Sequence, residues 1–354
     1  MGQLQVKNKI TPEYDFLVGL RDDLSPCYAP YYLRLLCYYL KTRRVLLIFS
    51  EGGTPLGVLA FLVKDGPEGR VANSMPYYGS YGGCVVAPSL SKREQRQVKE
   101  KLLQGALQWA REDNIRLLTI INHPFEEDPD LYEEVLKPTF QDVRIGQVLR
   151  LPKKESMEEA LNELLKMHRK NRNVVRKGIR LTQVRAETAE DAFNFLYRTH
   201  AENMRAIGGT PKEWAFFDIV RGQLEPDSHY RLYVGYVEGK RAAACLTFRY
   251  GKVIDYFTPA IDQRFRSTQA LSGVIVKAMQ EGTIDGFTWW NWGGTWLSQT
   301  GVYRFKARWG GEDRYYKYHI KGLGDLEHFV KLGRKGLLTF YRHFYTLPFD
   351  KVCL

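Results

Sequence analysis

Apolar side chains in the first half of the chain follow two periods, one typical of helices and one typical of strands. In residues 30–40 and 91–113 they recur every three or four positions, which predicts two helices with one buried face each. β-rich runs at 45–50 and 57–63 flank the residues E-G-G-T-P, and this arrangement predicts a hairpin. Further short apolar runs predict strands at 71–77, 115–121 and 145–151.

The second half of the chain repeats this order of elements. Helical spacing recurs in three segments, 156–177, 189–206 and 268–281. Strand-like runs alternate with them, at 179–185, 232–238, 242–249, 253–258 and 287–292. Hairpin-connected strands followed by a helix and a strand predict a mixed sheet rather than a doubly wound one. We therefore predict an α+β protein of two tandem domains, 1–152 and 153–354, each a mixed, mostly antiparallel sheet flanked by helices.

The chain is strongly basic, with a formal net charge of +12 from 52 basic and 40 acidic residues. This excess favours polyanionic partners, namely phosphates, RNA or an anionic membrane surface, without selecting one of them. The start of the chain lacks the apolar core of a signal peptide, and no apolar run approaches the length of a membrane span. We therefore expect a cytoplasmic protein, with a peripheral position at the inner membrane surface as an open alternative.

Basic residues recur at helical spacing between 166 and 180, so they share one face of the helix predicted there. One interpretation is a solvated face whose charges are balanced by acidic neighbours. The other is a track for RNA or substrate phosphates, because each neutralised phosphate releases bound counterions. The candidates for polyanion binding are Arg169, Lys170, Arg176 and Lys177.

The stretch G-V-Y-R-F-K-A-R-W-G-G at 301–311 resembles the closing signature of the Fem family, the aminoacyl and acyl transferases that build peptidoglycan cross-bridges. Four other segments resemble the same family in the expected order. They are P-Y-Y-G-S-Y-G-G at 76–83, the basic segment at 168–179, D-Y-F-T-P-A at 255–260, and N-W-G-G at 291–294. The resemblance implies two domains of the GNAT acyltransferase type.

Phe305 and Lys306 are the catalytic candidates that the resemblance implies. Adjacent residues of an extended segment point to opposite faces, so one side chain can be buried while the other reaches a polar site. Lys306 would place its ammonium beside the oxyanion of the tetrahedral intermediate, and Phe305 would orient the segment by packing. The alternative from the residues alone is a tight loop with a surface lysine.

Further substrate contacts follow from the same resemblance and from side-chain chemistry. Tyr256 resembles a substrate-contacting tyrosine of the family, and Arg205 falls where the family often places an arginine near substrate phosphates. Tyr77 and Tyr78 lie in a tyrosine- and glycine-rich segment that suits either a packed turn or a pocket wall.

The segment before the helix predicted at 268 bears on the acyl donor. Ordinary GNAT enzymes bind the pyrophosphate of coenzyme A there through a Q/R-x-x-G-x-G/A loop and the N–H groups of the helix N-terminus. The chain instead reads Q-R-F-R-S-T-Q-A at 263–270, without glycine, and Cβ atoms restrict the approach of phosphates. Arg264, Arg266 and Ser267 can still bind an anion through their side chains.

Other kinds of catalytic site lack support in the sequence. The seven histidines are scattered, with no H-E-x-x-H, so a metal site is not expected. No G-x-S-x-G elbow is present. This suits acyl transfer from an activated donor, where the protein mainly aligns the reactants and stabilises the oxyanion.

Three functions remain open. The first is transfer of an activated aminoacyl or acyl group onto an amine of a nucleotide- or lipid-linked cell-envelope precursor of the peptidoglycan-bridge type. The second is an acyl-CoA-dependent N-acyltransferase acting on a sugar or polysaccharide precursor. The third is a basic RNA-binding module without catalysis. In the first two the donor is aminoacyl-tRNA or acyl-CoA, with no permanently bound cofactor, and no DNA partner is expected.

Overall fold

The structure is a computed structural model that describes residues 2–77, 79–167 and 171–348. The chain forms two compact units. The first contains Met1–Arg21, Cys27–Ile145 and Arg314–Leu354, and the second contains Asp22–Pro26 and Gly146–Asp313. The sequence pattern predicted two consecutive segments that meet near 152. The units are instead interleaved, because the chain after Asp313 packs with the first unit and a short segment from 22 to 26 packs with the second.

The first unit is a mixed sheet covered by one long helix. Its elements are β1 (Gln3–Lys7), α1 (Pro12–Gly19), α2 (Pro30–Leu40), β2 (Arg43–Glu51), β3 (Thr54–Lys64), β4 (Arg70–Asn73), β5 (Val85–Val86), α3 (Lys92–Glu112), β6 (Ile115–Ile121), α4 (Asp130–Leu136), the start of β7 (Phe140–Arg150), most of β13 (Glu312–Gly322), α11 (Glu327–Lys331) and α12 (Gly333–Phe340). The strand order is β1-β2-β3-β4-β6-β13-β7, and β5 pairs with β3. β4 and β6 are parallel, whereas β1–β2, β2–β3 and β6–β13 are antiparallel.

The long helix α3 forms because its sequence provides both an N-terminal cap and one continuous apolar face. Ser91 caps its N-terminus in a capping box with Glu94, which satisfies N–H groups that have no partner in the helix. One face buries Leu102, Leu103 and Trp109 in the core beneath the sheet. The helix predicted from apolar spacing at 91–113 is therefore confirmed, as are α2 and the hairpin of β2 and β3.

The second unit repeats the plan of a mixed sheet packed with helices. Its elements are the end of β7, α5 (Met157–Met167), α6 (Arg172–Leu181), β8 (Gln183–Glu187), α7 (Glu190–Ala206), α8 (Trp214–Gln223), β9 (Tyr230–Val237), β10 (Lys240–Tyr250), β11 (Val253–Ile261), α9 (Ala270–Ile284), β12 (Trp289–Trp296) and α10 (Thr300–Ala307). The strand order is β7-β12-β11-β10-β9-β8. β8 to β11 pair antiparallel, and β11 pairs parallel with β12. α9 packs its Val274, Ile275 and Met279 into the core beneath this sheet.

Two predictions from periodicity were wrong in this unit. The single helix expected at 156–177 is two helices, α5 and α6, separated by residues of which 168–170 lie outside the described part of the chain. The segment around Phe305 and Lys306, expected to be extended or a loop, is the helix α10. Glycine-rich sequence has low helix propensity, but tertiary contacts override it here.

Neither a membrane span nor a metal site is apparent in the described residues. No helix there is both long and apolar enough to cross a membrane. No group of three or more His, Cys, Asp or Glu side chains there could hold a metal ion.

Candidate active site

The centre of the candidate site is a gap between two parallel strands of the second unit. β11 and β12 pair only over Val253–Asp255 and Trp289–Asn291. The register of β11 against β10 then shifts, so that Phe257 is an extra residue in β11. A β-bulge of this kind bends its strand and interrupts the ladder. The gap therefore opens at the C-terminal ends of both strands, where ligands often bind in sheets with parallel pairs.

Lys306 is buried on the β12 side of this gap. Its side chain is only 6% exposed, and Nζ donates to the carbonyl oxygens of Gly293 (3.2 Å) and Gly294 (3.1 Å) and to Oγ1 of Thr295 (2.9 Å). An ammonium group has three donors, and three oxygens receive them. The alternative of an exposed, snorkelling surface lysine is therefore wrong. In this geometry Lys306 also holds the part of β12 that follows Asn291, the last residue paired with β11.

Burial dominates the electrostatics of Lys306. Desolvation alone lowers its pKa from 10.5 to about 7, and no carboxylate contributes. An ammonium buried among neutral dipoles is energetically unfavourable and is more common at functional sites than in structural ion pairs. Both forms of the side chain are therefore accessible at neutral pH, and a nearby negative charge would favour the ammonium.

Phe305 has a different environment from the one predicted. It is 37% exposed, although its ring lies edge-on to Trp292 (centroids 6.2 Å apart) and to Trp309 (6.4 Å). The expectation that Phe305 is the buried member of the pair is wrong, since the helix turns Lys306 inward instead. Trp292 also contacts Tyr256 of β11, with ring centroids 4.9 Å apart. Tyr256, Phe305 and Lys306 therefore belong to one cluster around β12.

A buried hydrogen-bonded chain lies at the base of the gap. Asp255, the last residue of β11 that pairs with β12, accepts hydrogen bonds from Ser25 Oγ and Asn291 Nδ2, both at 2.8 Å. Asn291 Oδ1 in turn accepts the N–H of Gly293 at 2.9 Å. Burial raises the pKa of the Asp255 carboxyl from 3.8 to about 7, although the hydrogen bonds from Ser25 and Asn291 lower it.

The edge of β11 that faces the gap is already occupied by side chains of α7. Asn203 bonds both backbone groups of Ile261, donating from Nδ2 to its oxygen and accepting its N–H at Oδ1, each at 2.9 Å. The ring of His200 is hydrogen-bonded to the carbonyl of Pro259, a residue without an N–H. Burial lowers the pKa of His200 to about 3, so the ring is neutral. Backbone groups that an extended ligand could pair with at 259–261 are therefore used within the protein.

The N-terminus of α9 is also covered. Gly178 of α6 packs so closely that a Cβ there would lie 2.6 Å from the oxygen of Gln269 and 2.7 Å from the nitrogen of Gly273. Gln269 itself has a left-handed φ of 62°. α6 therefore occupies space at the helix end where ordinary GNAT enzymes hold a pyrophosphate. Arg264, Arg266 and Ser267 lie on the preceding turn, all exposed, and the guanidinium of Arg264 is bonded to Asp262.

The remaining predicted contact residues lie apart from this cluster. Arg205 is exposed in the last turn of α7. Tyr77 belongs to the first unit, is 6% exposed and has a φ of 90°. Its backbone N–H donates to the carbonyl of His343. Tyr78 lies outside the described residues. The tyrosine- and glycine-rich segment therefore contributes a buried tyrosine to the core of the first unit.

The predicted basic face is divided between two helices and the residues between them. Arg176 and Lys177 are exposed on α6, and no described carboxylate lies within ion-pairing distance of either. Arg169 and Lys170 lie outside the described residues. A solvated face balanced by acidic neighbours therefore has no support at 176 and 177, and polyanion binding there stays a prediction.

Sequence reasoning missed several side chains that shape this site. Ser25 lies far from the gap in sequence, and the side chains of His200 and Asn203 act through hydrogen bonds to the backbone of β11. Asp255 and Asn291 fell within motifs but were given no role. A spacing pattern could not reveal these contacts, since each joins elements that are distant along the chain.

Comparison with known proteins agrees with this geometry. Residues 166–307 match the profile of the acetyltransferase (GNAT) domain. This part of the chain is therefore similar to acetyltransferase (GNAT) domains. The matched segment begins before α6 and ends at α10, so it includes the gap between β11 and β12 and Lys306. No curated protein sequence matches the chain significantly.

Solved structures share the fold over nearly the whole chain. FemX is 14% identical, with a TM-score of 0.69, and the match covers 88% of this chain and 96% of that one. A tandem GNAT protein from the clavulanic acid biosynthesis pathway is 12% identical (TM-score 0.54; 91% and 99% covered). The C-terminal domain of a putative lysylphosphatidylglycerol synthetase from Agrobacterium fabrum is also 12% identical (TM-score 0.50; 95% and 97% covered). The predicted α+β fold of tandem GNAT type is therefore confirmed, and this fold is similar to that of FemX.

Proposed function

We propose that the protein transfers an aminoacyl group from aminoacyl-tRNA onto an amine of a nucleotide- or lipid-linked cell-envelope precursor. The observation that carries this proposal is the combination of a buried lysine without a counter-ion at the open end of β12 and a gap whose β11 edge is already bonded. The first feature suits stabilisation of an oxyanion. The second disfavours coenzyme A as the carrier of the acyl group.

The case against coenzyme A rests on two contacts. The pantetheine arm of coenzyme A is an extended chain with two amides, which can pair with an open strand edge as an added strand does. Here Asn203 and His200 occupy that edge at 259–261. The pyrophosphate would need the N-terminus of α9, where the backbone of α6 at Gly178 packs against the first turn.

The reaction needs little beyond alignment and electrostatic stabilisation. The acceptor nitrogen attacks the carbonyl carbon of the aminoacyl ester, a C–N bond forms, and the carbonyl oxygen becomes negative. The C–O bond to the terminal ribose then breaks, and the proton lost by the nitrogen ends on the ribose oxygen. The Lys306 ammonium stabilises the oxyanion through a low-dielectric interior, where a charge acts more strongly than in water.

The exposed cations of α6 supply a docking surface for the RNA donor. Arg176 and Lys177 carry charges that the described residues do not balance, as expected of groups that contact phosphates. Arg264 and Arg266 are exposed on the turn before α9 and can add contacts to the phosphates of the donor or of the acceptor. The apolar side of the gap, with Tyr256 and Phe305, is suited to the acyl group.

A ligand-retention experiment tests the choice of donor. The purified protein is mixed with bulk aminoacyl-tRNA, deacylated tRNA, acetyl-CoA and a nucleotide-linked peptidoglycan precursor, and retained ligands are identified by mass spectrometry after gel filtration. We expect retention of tRNA and precursor without coenzyme A. Retention of acetyl-CoA alone would instead favour the acyl-CoA-dependent N-acyltransferase, the alternative that the GNAT domain match supports.

A further inference from the structure

The starting observation is a continuous series of hydrogen bonds from Ser25 to Lys306. Ser25 Oγ donates to Asp255, and Asn291 Nδ2 donates to the other oxygen of the same carboxylate. The amide oxygen of Asn291 accepts the N–H of Gly293, whose carbonyl accepts a hydrogen bond from Lys306 Nζ. Every side chain in the series is less than 9% exposed.

This series crosses the strands at the point where they separate. Asp255 and Asn291 form the last pair in the ladder between β11 and β12. Beyond them no ladder joins β12 to β11, and Gly293 has a left-handed φ of 71°. The bond from Asn291 to Gly293 therefore sets the direction in which the carbonyls of Gly293 and Gly294 point.

We propose that Ser25, Asp255 and Asn291 are positioning residues for Lys306, which act by fixing the oxygens that hold its Nζ. Asp255 accepts from both neighbours, so its carboxylate orients the amide of Asn291 with the nitrogen toward β11 and the oxygen toward Gly293. An amide rotated by 180° would present its nitrogen to the N–H of Gly293, two donors facing each other. The importance of this device for catalysis rests on the proposed function of Lys306.

The contribution of Ser25 is the least expected part of the series. It lies in the short segment Asp22–Pro26, which packs in the second unit although its neighbours in sequence belong to the first. The same segment accepts the backbone N–H of Lys252, just before β11, at the carbonyl of Asp22. An early part of the chain thus supports a site whose other residues come from the second half.

The test measures the state of Lys306 without any substrate. The protein is labelled with ¹³C at lysine Cε, and the Lys306 signal is assigned by its loss in Lys306→Met. We expect Asp255→Ala and Asn291→Ala to raise the titration midpoint of Lys306 by about one pH unit, because water reaches Nζ when its oxygens are no longer held. Asp255→Asn should leave the midpoint near its wild-type value, since Oδ1 still accepts from Asn291 while the amide donates to Ser25.

A matched control separates positioning from general loss of stability. Thr283→Ala removes a buried hydroxyl that bonds only the carbonyl of Met279 within α9. It should lower the melting temperature without changing the midpoint. If Asp255→Ala or Asn291→Ala has the same midpoint as Thr283→Ala, the proposal is wrong. Should Asp255→Ala not fold, Ser25→Ala decides the question in the same way, because it removes only one hydroxyl.

A second readout links the series to transfer. With aminoacyl-tRNA and precursor as substrates, we expect Asp255→Ala to lower kcat about tenfold or more with KM little changed, and Asp255→Asn to restore most of the loss. If no variant or wild-type protein transfers from tRNA but the midpoint shifts as predicted, the positioning role stands and the proposed donor is wrong. If transfer occurs and Asp255→Ala leaves it unchanged, the positioning role is wrong.

Discussion

Replacing Lys306 by methionine is the change with the most specific consequences. Lys306→Met keeps the length and apolar character of the stem and removes the ammonium. Three oxygens, those of Gly293, Gly294 and Thr295, then lose their donor. Because the same residue is proposed to stabilise the oxyanion, stability and turnover should respond very differently.

The effect on stability is a difference of two terms of similar size. The pKa of Lys306 falls from 10.5 to about 7 on folding, which corresponds to about 5 kcal/mol that the wild type loses at neutral pH by burying this group. The variant buries no charge and therefore does not lose this free energy. It loses hydrogen bonds to three buried oxygens, each worth about 1–3 kcal/mol when left without a donor. The terms nearly cancel, so we expect a melting temperature close to that of the wild type at pH 7.

The pH dependence gives a sharper check on this reasoning. Between pH 7 and 10.5 the unfolded chain binds more protons at Lys306 than the folded one, because the folded pKa is the lower of the two. The contribution of Lys306 to the free energy of unfolding of the wild type therefore rises with pH across that window. Lys306→Met lacks the rise, so the variant should become less stable than the wild type as the pH increases. Denaturant unfolding at several pH values measures this directly.

Turnover should fall by roughly 10²–10³, a loss comparable to that of one oxyanion donor, because the charge of Lys306 no longer acts on the oxyanion. Single-turnover transfer from aminoacyl-tRNA gives the rate of the chemical step. Lys277→Met, on a half-exposed lysine of α9 paired with Glu281, serves as the control and should retain activity. Normal turnover in Lys306→Met would refute a catalytic role, and parallel stability curves for variant and wild type would refute the burial argument.

Other changes give independent expectations. Phe305→Ala should cost only about 1–2 kcal/mol by thermal unfolding, because the ring is 37% exposed, and a loss of 3–5 kcal/mol would contradict this. Arg176→Glu with Lys177→Glu should weaken tRNA binding and flatten its salt dependence, whereas unchanged affinity would make this face ordinary surface. The pKa of Asp255 rises on folding from 3.8 to about 7, so wild-type stability should fall as the pH rises through that window. Asp255→Asn should remove this fall in unfolding experiments, and its persistence would assign the fall to other groups.

The local order of apolar and polar residues was sufficient to predict the helices and strands that pack through one regular face. α3 and α9 have apolar residues at helical spacing over 15 residues or more, and both were predicted within a few residues of their observed ends. The strands β9, β10 and β11 were equally clear from their short β-rich runs separated by turns. These elements are held by burial, which the order of apolar and polar residues records directly.

Long-range pairing was not predictable in this way. β13 pairs with β6 across almost 200 residues, and its sequence mixes charged and aromatic side chains without indicating a partner. The interleaving of the two units follows from that pairing. Helix α10 was also missed, because its glycine and aromatic residues disfavour a helix and the bonds of Lys306 to β12 are tertiary contacts.

The candidate site was predicted in part. The motifs located Lys306 and Tyr256, and the structure brings both to the strands that separate at Asp255. The motifs could not show that Phe305 is the more exposed of the pair. They also gave no indication of Asn203, which closes one edge of the gap through its amide, because side-chain bonds to a distant backbone leave no periodic signal.

The most direct test of the account is a transfer assay that offers both donors to the wild-type protein. One reaction contains bulk tRNA charged with ¹⁴C-labelled amino acids, the other contains ¹⁴C-acetyl-CoA, and both contain a nucleotide-linked peptidoglycan precursor. We expect label on the precursor in the first reaction, lost in Lys306→Met, and none in the second. Label transferred from acetyl-CoA at a rate equal to or above that from tRNA would contradict it.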